Sequence, residues 1–224
     1  MNVAIIVAAG NGSRIGSDKP KQFLEIHGKP VIIHTLERFE ACDAVNEIVL
    51  VLPADQVVGF AETANQFSIK KLSKIVSGGS TRAESAYNGF KAVNDTAQIV
   101  AVHDGARPLV TAIEISRTIM AAEKTGAACL VAPVTDTIKE VADERIIGTV
   151  DRSRLRRALT PQAFRIDILK EAFENADLSE SITDECYLIE KLGLQITCIK
   201  GSPLNIKVTH PEDLILAELF LRTG

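Results

Sequence analysis

The chain has 224 residues, 46% of them hydrophobic, with 29 acidic against 25 basic side chains and a formal charge of −4. A chain of this length buries about 70% of its unfolded surface, enough for one sizeable α/β domain. A pI near 5.6 argues against a general nucleic-acid or membrane-surface binder, so an anionic substrate must meet a local basic pocket.

The first element is the run Val3-Ala4-Ile5-Ile6-Val7-Ala8-Ala9, short, apolar and β-branched, as expected of a parallel strand buried on both faces. The carboxyl end of such a strand is where open α/β sheets place ligands. Gly10-Asn11-Gly12-Ser13-Arg14-Ile15-Gly16-Ser17-Asp18-Lys19-Pro20-Lys21-Gln22 follows at once. Its glycines let backbone N–H groups approach an anion, while Arg14, Lys19 and Lys21 supply positive charge. It is not the dinucleotide fingerprint, because Ile15 stands where the third glycine belongs, nor a Walker A loop, because no Gly-Lys-Ser/Thr closes it. The segment reads as a phosphate-handling loop; the bland alternative is a Gly-rich turn with solvated basic residues.

Further strands are expected near 47–52, 72–76, 98–102, 127–132 and 195–199. Helical patterns lie near 31–40, 55–66, 81–93, 111–124, 166–176, 183–192 and 211–222. This alternation predicts an α/β fold, a doubly wound and mostly parallel sheet in one domain over residues 1–224. One stretch breaks the rhythm: alternating runs at 136–141 and 145–152 around the polar tip Ala142-Asp143-Glu144 predict a β-hairpin, an arm at about 134–152. A lone hairpin is marginal in water, so it must pack on its own domain or on a second subunit; we read it as a homodimer arm, with an antiparallel extension of the sheet as the alternative.

Gly78-Gly79-Ser80-Thr81-Arg82-Ala83-Glu84-Ser85 opens a helix, with Thr81 and Glu84 placed as a capping box. Gly79, Arg82 and Ser85 can face a nucleotide base or ribose beside the positive helix end, or simply start a helix. In His103-Asp104-Gly105-Ala106-Arg107-Pro108, Asp104 follows a strand and can hold Mg²⁺ or a ribose hydroxyl, pair with Arg107, or cap the next helix. His103 reads as a core or locally bonded residue. Arg152, Arg154, Arg156 and Arg157 precede Thr160-Pro161-Gln162, and arginine forks suit a phosphate. Lys207, in Asn205-Ile206-Lys207-Val208-Thr209, is a surface residue unless a phosphate pocket lies beside it. Pro211 fits the first position of the last helix. Cys42, Cys129, Cys186 and Cys198 are scattered, without Cys-x-x-Cys spacing, and are expected as buried free thiols. Apolar runs stay short of a membrane span and the N-terminus lacks a leader pattern, so a soluble cytoplasmic protein is expected, binding neither nucleic acid nor membrane.

Taken in order, Ala8-Ala9-Gly10-x-Gly12-x-Arg14, Pro20-Lys21-Gln22, Gly78-Gly79-x-x-Arg82-x-x-Ser85, His103-Asp104-x-Ala106-Arg107-Pro108, Thr160-Pro161-Gln162, Thr183-Asp184-Glu185 and Asn205-Ile206-Lys207-Val208-Thr209 resemble the 2-C-methyl-D-erythritol 4-phosphate cytidylyltransferase family from about residue 3 to 220. The resemblance implies a Rossmann-like nucleotidyltransferase with a protruding β-arm. It further implies CMP transfer from CTP to methylerythritol phosphate in the non-mevalonate isoprenoid pathway, a requirement for Mg²⁺, and homodimers interlocked through the arm. It assigns transition-state roles to Arg14 and Lys21 and the methylerythritol phosphate clamps to Arg152 and Lys207. Asp104 matches the active-site acid, a candidate for the metal directly or through water, and Thr160 a substrate-side contact, with Arg107 and Thr183 as further positioning residues. Nucleotide binding falls on Ala8, Ala9, Gly10, Gly12, Gly79, Arg82 and Ser85. Gly105 departs from the alanine usual in the family, and Cys186 from a small residue. Rival readings are ribitol 5-phosphate cytidylyltransferase, a sugar-phosphate nucleotidylyltransferase using UTP or GTP, a silent nucleotide sensor, and a NAD-dependent dehydrogenase, which Ile15 disfavours.

Overall fold

The computed structural model describes residues 1–10, 20–178, 180 and 182–223. Its elements begin with β1 (Asn2–Val7), β2 (Glu25–Ile26), β3 (Lys29–Pro30), α1 (Val31–Glu40), β4 (Glu47–Leu52), α2 (Val57–Gln66), β5 (Leu72–Ser77), α3 (Arg82–Lys91) and β6 (Ile99–Asp104). They continue with α4 (Ala112–Thr125), β7 (Ala127–Pro133), β8 (Ile138–Ala142), β9 (Arg145–Val150), β10 (Arg156–Arg165), α5 (Ile166–Glu174), α6 (Glu185–Lys191), β11 (Thr197–Lys200) and α7 (Pro211–Thr223).

A seven-stranded sheet runs in the order β11-β7-β10-β6-β1-β4-β5. β1 pairs in parallel with both β4 and β6, β4 with β5, and β7 with β11. β1, β4 and β7 are near-continuous apolar runs because both faces of the sheet are covered there, whereas the edge strands β5 and β11 carry exposed polar residues. Alternate residues serve opposite layers: Ala4 and Ile6 of β1 join Ile48 and Leu50 beneath Leu36 and Phe39 of α1, Phe60 of α2 and Ile119 of α4. Val3 and Ile5 join Val49, Val51, Val100 and Val102 beneath Ala86 of α3, Phe173 of α5 and Ile189 of α6. The expected doubly wound sheet is therefore present.

β10 is the strand of the seven-stranded sheet that the sequence pattern did not reveal, and the short β2–β3 pair was not expected either. β10 runs antiparallel to both β6 and β7, in the middle of the sheet. Its exposed arginines at 156 and 157 look like loop, and Pro161 argues against a central strand because proline cannot donate to the ladder. The structure places Pro161 where the pairing with β7 shifts register, between Ala158 and Gln162, the kind of irregularity that tolerates it. β6 also extends further than expected and carries His103 and Asp104 as its last residues.

The predicted hairpin is β8–β9, a separate two-stranded sheet closed by Asp143 and Glu144 at φ 47° and 61°. Positive φ at both tip residues is what a tight two-residue hairpin loop requires. Val141, Ile146 and Ile147 on this arm are exposed. α7 begins at Pro211, as expected, and seats Ala217 against Ile26, Val31, Ala106 and Val208. That packing carries the 205–209 segment to the carboxyl end of the sheet, where the backbone N–H of Val208 donates to Ala106 O at 2.8 Å.

Candidate active site

The carboxyl ends of β1 and β6, the start of α3 and the segment before α7 converge on a cleft of about 470 Å³. It is lined by Ala8, Ala9 and Gly10, by Lys21 and Gln22, by Gly79 to Arg82 and Ser85, and by Asp104, Lys207 and Thr209, among others. Close backbone approach builds it: a Cβ at Gly78 would lie 2.2 Å from the Ala9 Cβ and 2.8 Å from Ser85 Oγ, so only glycine lets the turn before α3 touch the end of β1. The predicted capping box is formed, with Thr81 Oγ1 accepting from the Glu84 N–H at 3.0 Å. The positive end of α3 thus opens toward the cleft.

Among the described residues, Asp104 is the single carboxylate of the lining, against Lys21, Arg82 and Lys207. Arg82 Nε donates to its Oδ1 at 3.4 Å, while Arg107 Nε at 3.0 Å and Lys207 Nζ at 3.1 Å meet Oδ2. Burial alone would raise the pKa of Asp104, but Arg82, Lys207 and Arg107 override it and hold the carboxyl well below the usual carboxylate range. Arg82 in turn donates Nη1 and Nη2 to the two carboxylate oxygens of Glu185 at 2.6 and 3.0 Å. Burial opposes the guanidinium charge, but Glu185 and Asp104 outweigh it and raise the Arg82 pKa. The residue at 185 is 1% exposed, a buried anion fully committed to one arginine.

Behind Asp104 lies a second, neutral network. His103 is fully buried, and desolvation lowers its pKa to about 3. Its Nε2 lies 3.2 Å from the Arg107 carbonyl and its Nδ1 2.9 Å from Thr160 Oγ1. A neutral ring satisfies both contacts only if Nε2 donates and Nδ1 accepts, so the Thr160 hydroxyl donates to His103. The Thr160 oxygen also accepts from the Asp104 N–H at 3.1 Å. Asn205 closes the loop: its Nδ2 donates to Thr160 O, and its own carbonyl accepts from Arg107 Nη1, each at 2.9 Å. Asn205 Oδ1 is the one buried side-chain polar atom without a partner among the described residues.

The structure brings together Ala8, Ala9, Gly10, Lys21, Gly79, Arg82, Ser85, Asp104 and Lys207 from the expected set. Gly12 and Arg14 lie outside the described residues. Arg107 and Thr160 stand behind the cleft and act on Asp104 rather than on its open surface. Thr183 is exposed, just before α6, and is not in the lining. Arg152 is elsewhere: it donates to the Thr135 carbonyl and, with Ser153, Arg156, Cys198 and Lys200, lines a separate hollow of about 840 Å³. Three of the expected buried thiols are buried, but Cys198 is exposed, because β11 is an edge strand.

Three residues escaped the sequence reading. Gln22 is 2% exposed and donates Nε2 to the Ala8 carbonyl at 2.7 Å, tying the return of the first loop to the end of β1. Glu185 and Asn205 do their work through partners 103 and 45 positions away. All three stood inside quoted motifs, but only their unusual burial as polar groups marks them out. No described helix is long and apolar enough to cross a membrane, and no group of three His, Cys, Asp or Glu residues among those described is set to hold a metal ion.

The family model for "2-C-methyl-D-erythritol 4-phosphate cytidylyltransferase" matches residues 2–223. Relatives of that name include one from Syntrophus aciditrophicus, 43% identical over 98% of this chain and 95% of its own, and one from Alkaliphilus oremlandii, 42% identical over 98% and 94%. A solved structure of 4-diphosphocytidyl-2C-methyl-D-erythritol synthase from Anaerococcus prevotii superposes with a TM-score of 0.87 at 28% identity, over 99% of this chain and 96% of that one. The enzyme from Thermus thermophilus gives 0.81 at 30% identity, over 99% and 100%. With the family model and these relatives spanning nearly all of its length, the chain belongs to the 2-C-methyl-D-erythritol 4-phosphate cytidylyltransferase family.

Proposed function

We infer that the cleft transfers CMP from CTP to 2-C-methyl-D-erythritol 4-phosphate and releases pyrophosphate, a step of the non-mevalonate isoprenoid pathway. The observation that carries this reading is the cation-rich cleft around one buried carboxylate, at the carboxyl ends of β1 and β6, in a chain of this family. Two anions must meet there. The acceptor phosphate is already ionised near neutral pH, so its oxygen attacks the α-phosphorus in line and pyrophosphate leaves without a protein nucleophile. Catalysis then consists of holding mutually repelling groups together and neutralising developing charge.

Lys21, at the cleft wall, serves the α-phosphate together with Arg14. Gly79, Ser85 and the first turn of α3 receive the base and ribose. Lys207 holds the acceptor phosphate, and Asp104 keeps Lys207 and Arg82 extended into the cleft until substrates arrive. One carboxylate held by three cations fits a Mg²⁺ ion carried in on the nucleotide's phosphates, with Asp104 reaching it directly or through water, better than a metal caged by protein. Bound in that way, Mg²⁺ supplies charge neutralisation on the triphosphate. Arg152 lies outside this cleft, so we assign its phosphate contact to the site of a second subunit, reached through the exposed β8–β9 arm of a homodimer. The enzyme is placed in the cytoplasm, where its nucleotide and sugar-phosphate substrates are found.

The test is pyrophosphate release with 2-C-methyl-D-erythritol 4-phosphate and Mg²⁺, comparing CTP with UTP and GTP. Turnover with CTP alone is expected. Preference for UTP or GTP would assign the chain to another nucleotidylyl transfer.

A further inference from the structure

The Ala8 carbonyl sits where the ladder beside β1 runs out. Pairing with β6 ends at Val7 and Asp104, and the N–H of Gly105 turns back to the Val7 carbonyl at 2.8 Å. On the other side the Ala8 N–H donates to Val51 O at 2.8 Å. What meets the Ala8 carbonyl is a side chain: Gln22 Nε2 donates to it at 2.7 Å, from a residue 14 positions later that is itself buried. An amide suits that place because it donates to a carbonyl without bringing a charge into the interior. The bond ties the strand end to the turn that follows the glycine-rich segment.

That turn is short and held at three points. Lys21–Phe23 form one 3₁₀ turn, with the Phe23 N–H donating to Pro20 O at 2.9 Å. Its exit is fixed by the Leu24 carbonyl, which accepts from the Val31 N–H of α1 at 2.9 Å. Phe23 packs on the core layer that holds α1 and α2, its ring centroid 6.0 Å from that of Phe60. Successive side chains of a 3₁₀ turn point about 120° apart, so Gln22 reaching toward β1 and Phe23 reaching into the core leave Lys21 a third direction. That direction is the cleft, which Lys21 lines together with Asp104 and Lys207.

We propose that Gln22 is a positioning residue for the transfer, holding the Lys21 backbone against the end of β1 so that the ammonium meets the α-phosphate. The inference rests on the cytidylyltransferase reading, which gives Lys21 its role. Gln22 touches no reacting atom; it fixes the point from which the Lys21 side chain starts. A misplacement of about 1 Å costs on the order of 100-fold in rate. Two consequences separate this from a merely structural role. Loss of the bond slows the chemical step far more than it weakens CTP binding, because Gly79, Arg82 and Ser85 on the other wall of the cleft are untouched. The loss also vanishes once the Lys21 ammonium is gone, since nothing is then left to position.

The experiment is a double-mutant cycle of Gln22→Met with Lys21→Ala. It reads kcat for pyrophosphate release from CTP, Mg²⁺ and 2-C-methyl-D-erythritol 4-phosphate, and Kd for CTP by titration. Methionine keeps the length of the side chain but donates no hydrogen bond. Gln22→Met alone should lower kcat roughly 10- to 100-fold, with Kd for CTP changed less than about threefold. In the Lys21→Ala background it should lower kcat by less than about twofold. Gln22→Glu, which replaces the donating amide with an accepting oxygen, carries the same cycle should the methionine variant fail to fold by circular dichroism. A kcat equal to wild type, or equal factors lost in both backgrounds, would overturn the inference. A wild-type chain that releases no pyrophosphate with these substrates would instead overturn the reading of the cleft, and this role of Gln22 with it.

Discussion

Replacing Glu185 with glutamine tests the ion pair on which the cleft geometry leans. The wild-type carboxylate receives both terminal nitrogens of Arg82 at 2.6 and 3.0 Å, and the two side chains are 1% and 22% exposed. Glutamine preserves the shape and one accepting oxygen, but it turns an amide N–H₂ toward a guanidinium that can only donate. Hydrogen bonds to charged groups contribute about 1.5–3 kcal/mol, and removing one partner of a buried pair costs about 3–5 kcal/mol. Arg82 keeps Asp104 at 3.4 Å and partial access to water, which places the loss at the lower end, about 2–3 kcal/mol. For a domain of this size each kcal/mol shifts Tm by about 2–4 °C, so Glu185→Gln should lower Tm by roughly 4–12 °C. It should also raise KM for CTP, because Arg82 then swings fully onto Asp104. Calorimetry at pH 7 and a double-mutant cycle with Arg82→Met measure both. A loss of less than about 0.5 kcal/mol, with no coupling in the cycle, would refute the argument that this pair sets the cleft.

Lys21→Ala should lower kcat by about two orders of magnitude or more, equivalent to roughly 3 kcal/mol of barrier, while CTP binding measured by titration weakens far less; an unchanged kcat contradicts its role. Stability should fall as pH drops from about 6.5 toward 3, because the unfolded chain protonates His103 while burial keeps the folded imidazole neutral down to about 3. The slope due to this group is about 1.4 kcal/mol per pH unit, and urea unfolding of His103→Phe across that range should show it reduced. Gly105→Ala should cost about 1–3 kcal/mol by overpacking, since its Cβ would meet Ala8 Cβ at 2.7 Å and Ile32 Cδ1 at 2.8 Å; Ile32→Val in the same chain should recover part of the loss in urea titrations. Mixing Arg152→Ala with Lys21→Ala should restore activity if one site draws on two subunits, whereas an inactive mixture keeps each site within one chain.

The layers of the fold were legible because Val, Ile and Leu cluster in short runs that only a doubly covered sheet can bury, as β1, β4 and β6 show. Helix starts were legible where a local device exists, such as Thr81 with Glu84 or Pro211. β10 was not, because its central place is set by pairing with β6 and β7, while its own residues, arginines at one end and a proline inside, favour a loop. The same contrast holds in the site. Asp104 and Lys207 could be named from motifs, but their contact at 3.1 Å depends on α7 docking far from β6 in sequence. Glu185 reads as one more acidic residue in a helix's first turn until the fold sets it against Arg82. The alanine resemblance at 105 also acquires a physical cost here, because Ile32 and Ala8 occupy the space its methyl needs.

The acceptor is tested most directly by pyrophosphate release from CTP and Mg²⁺ with 2-C-methyl-D-erythritol 4-phosphate and ribitol 5-phosphate run in parallel. Turnover is expected with the first and none above background with the second. Turnover with ribitol 5-phosphate alone would leave the fold and the in-line transfer standing but contradict the substrate assigned to this cleft.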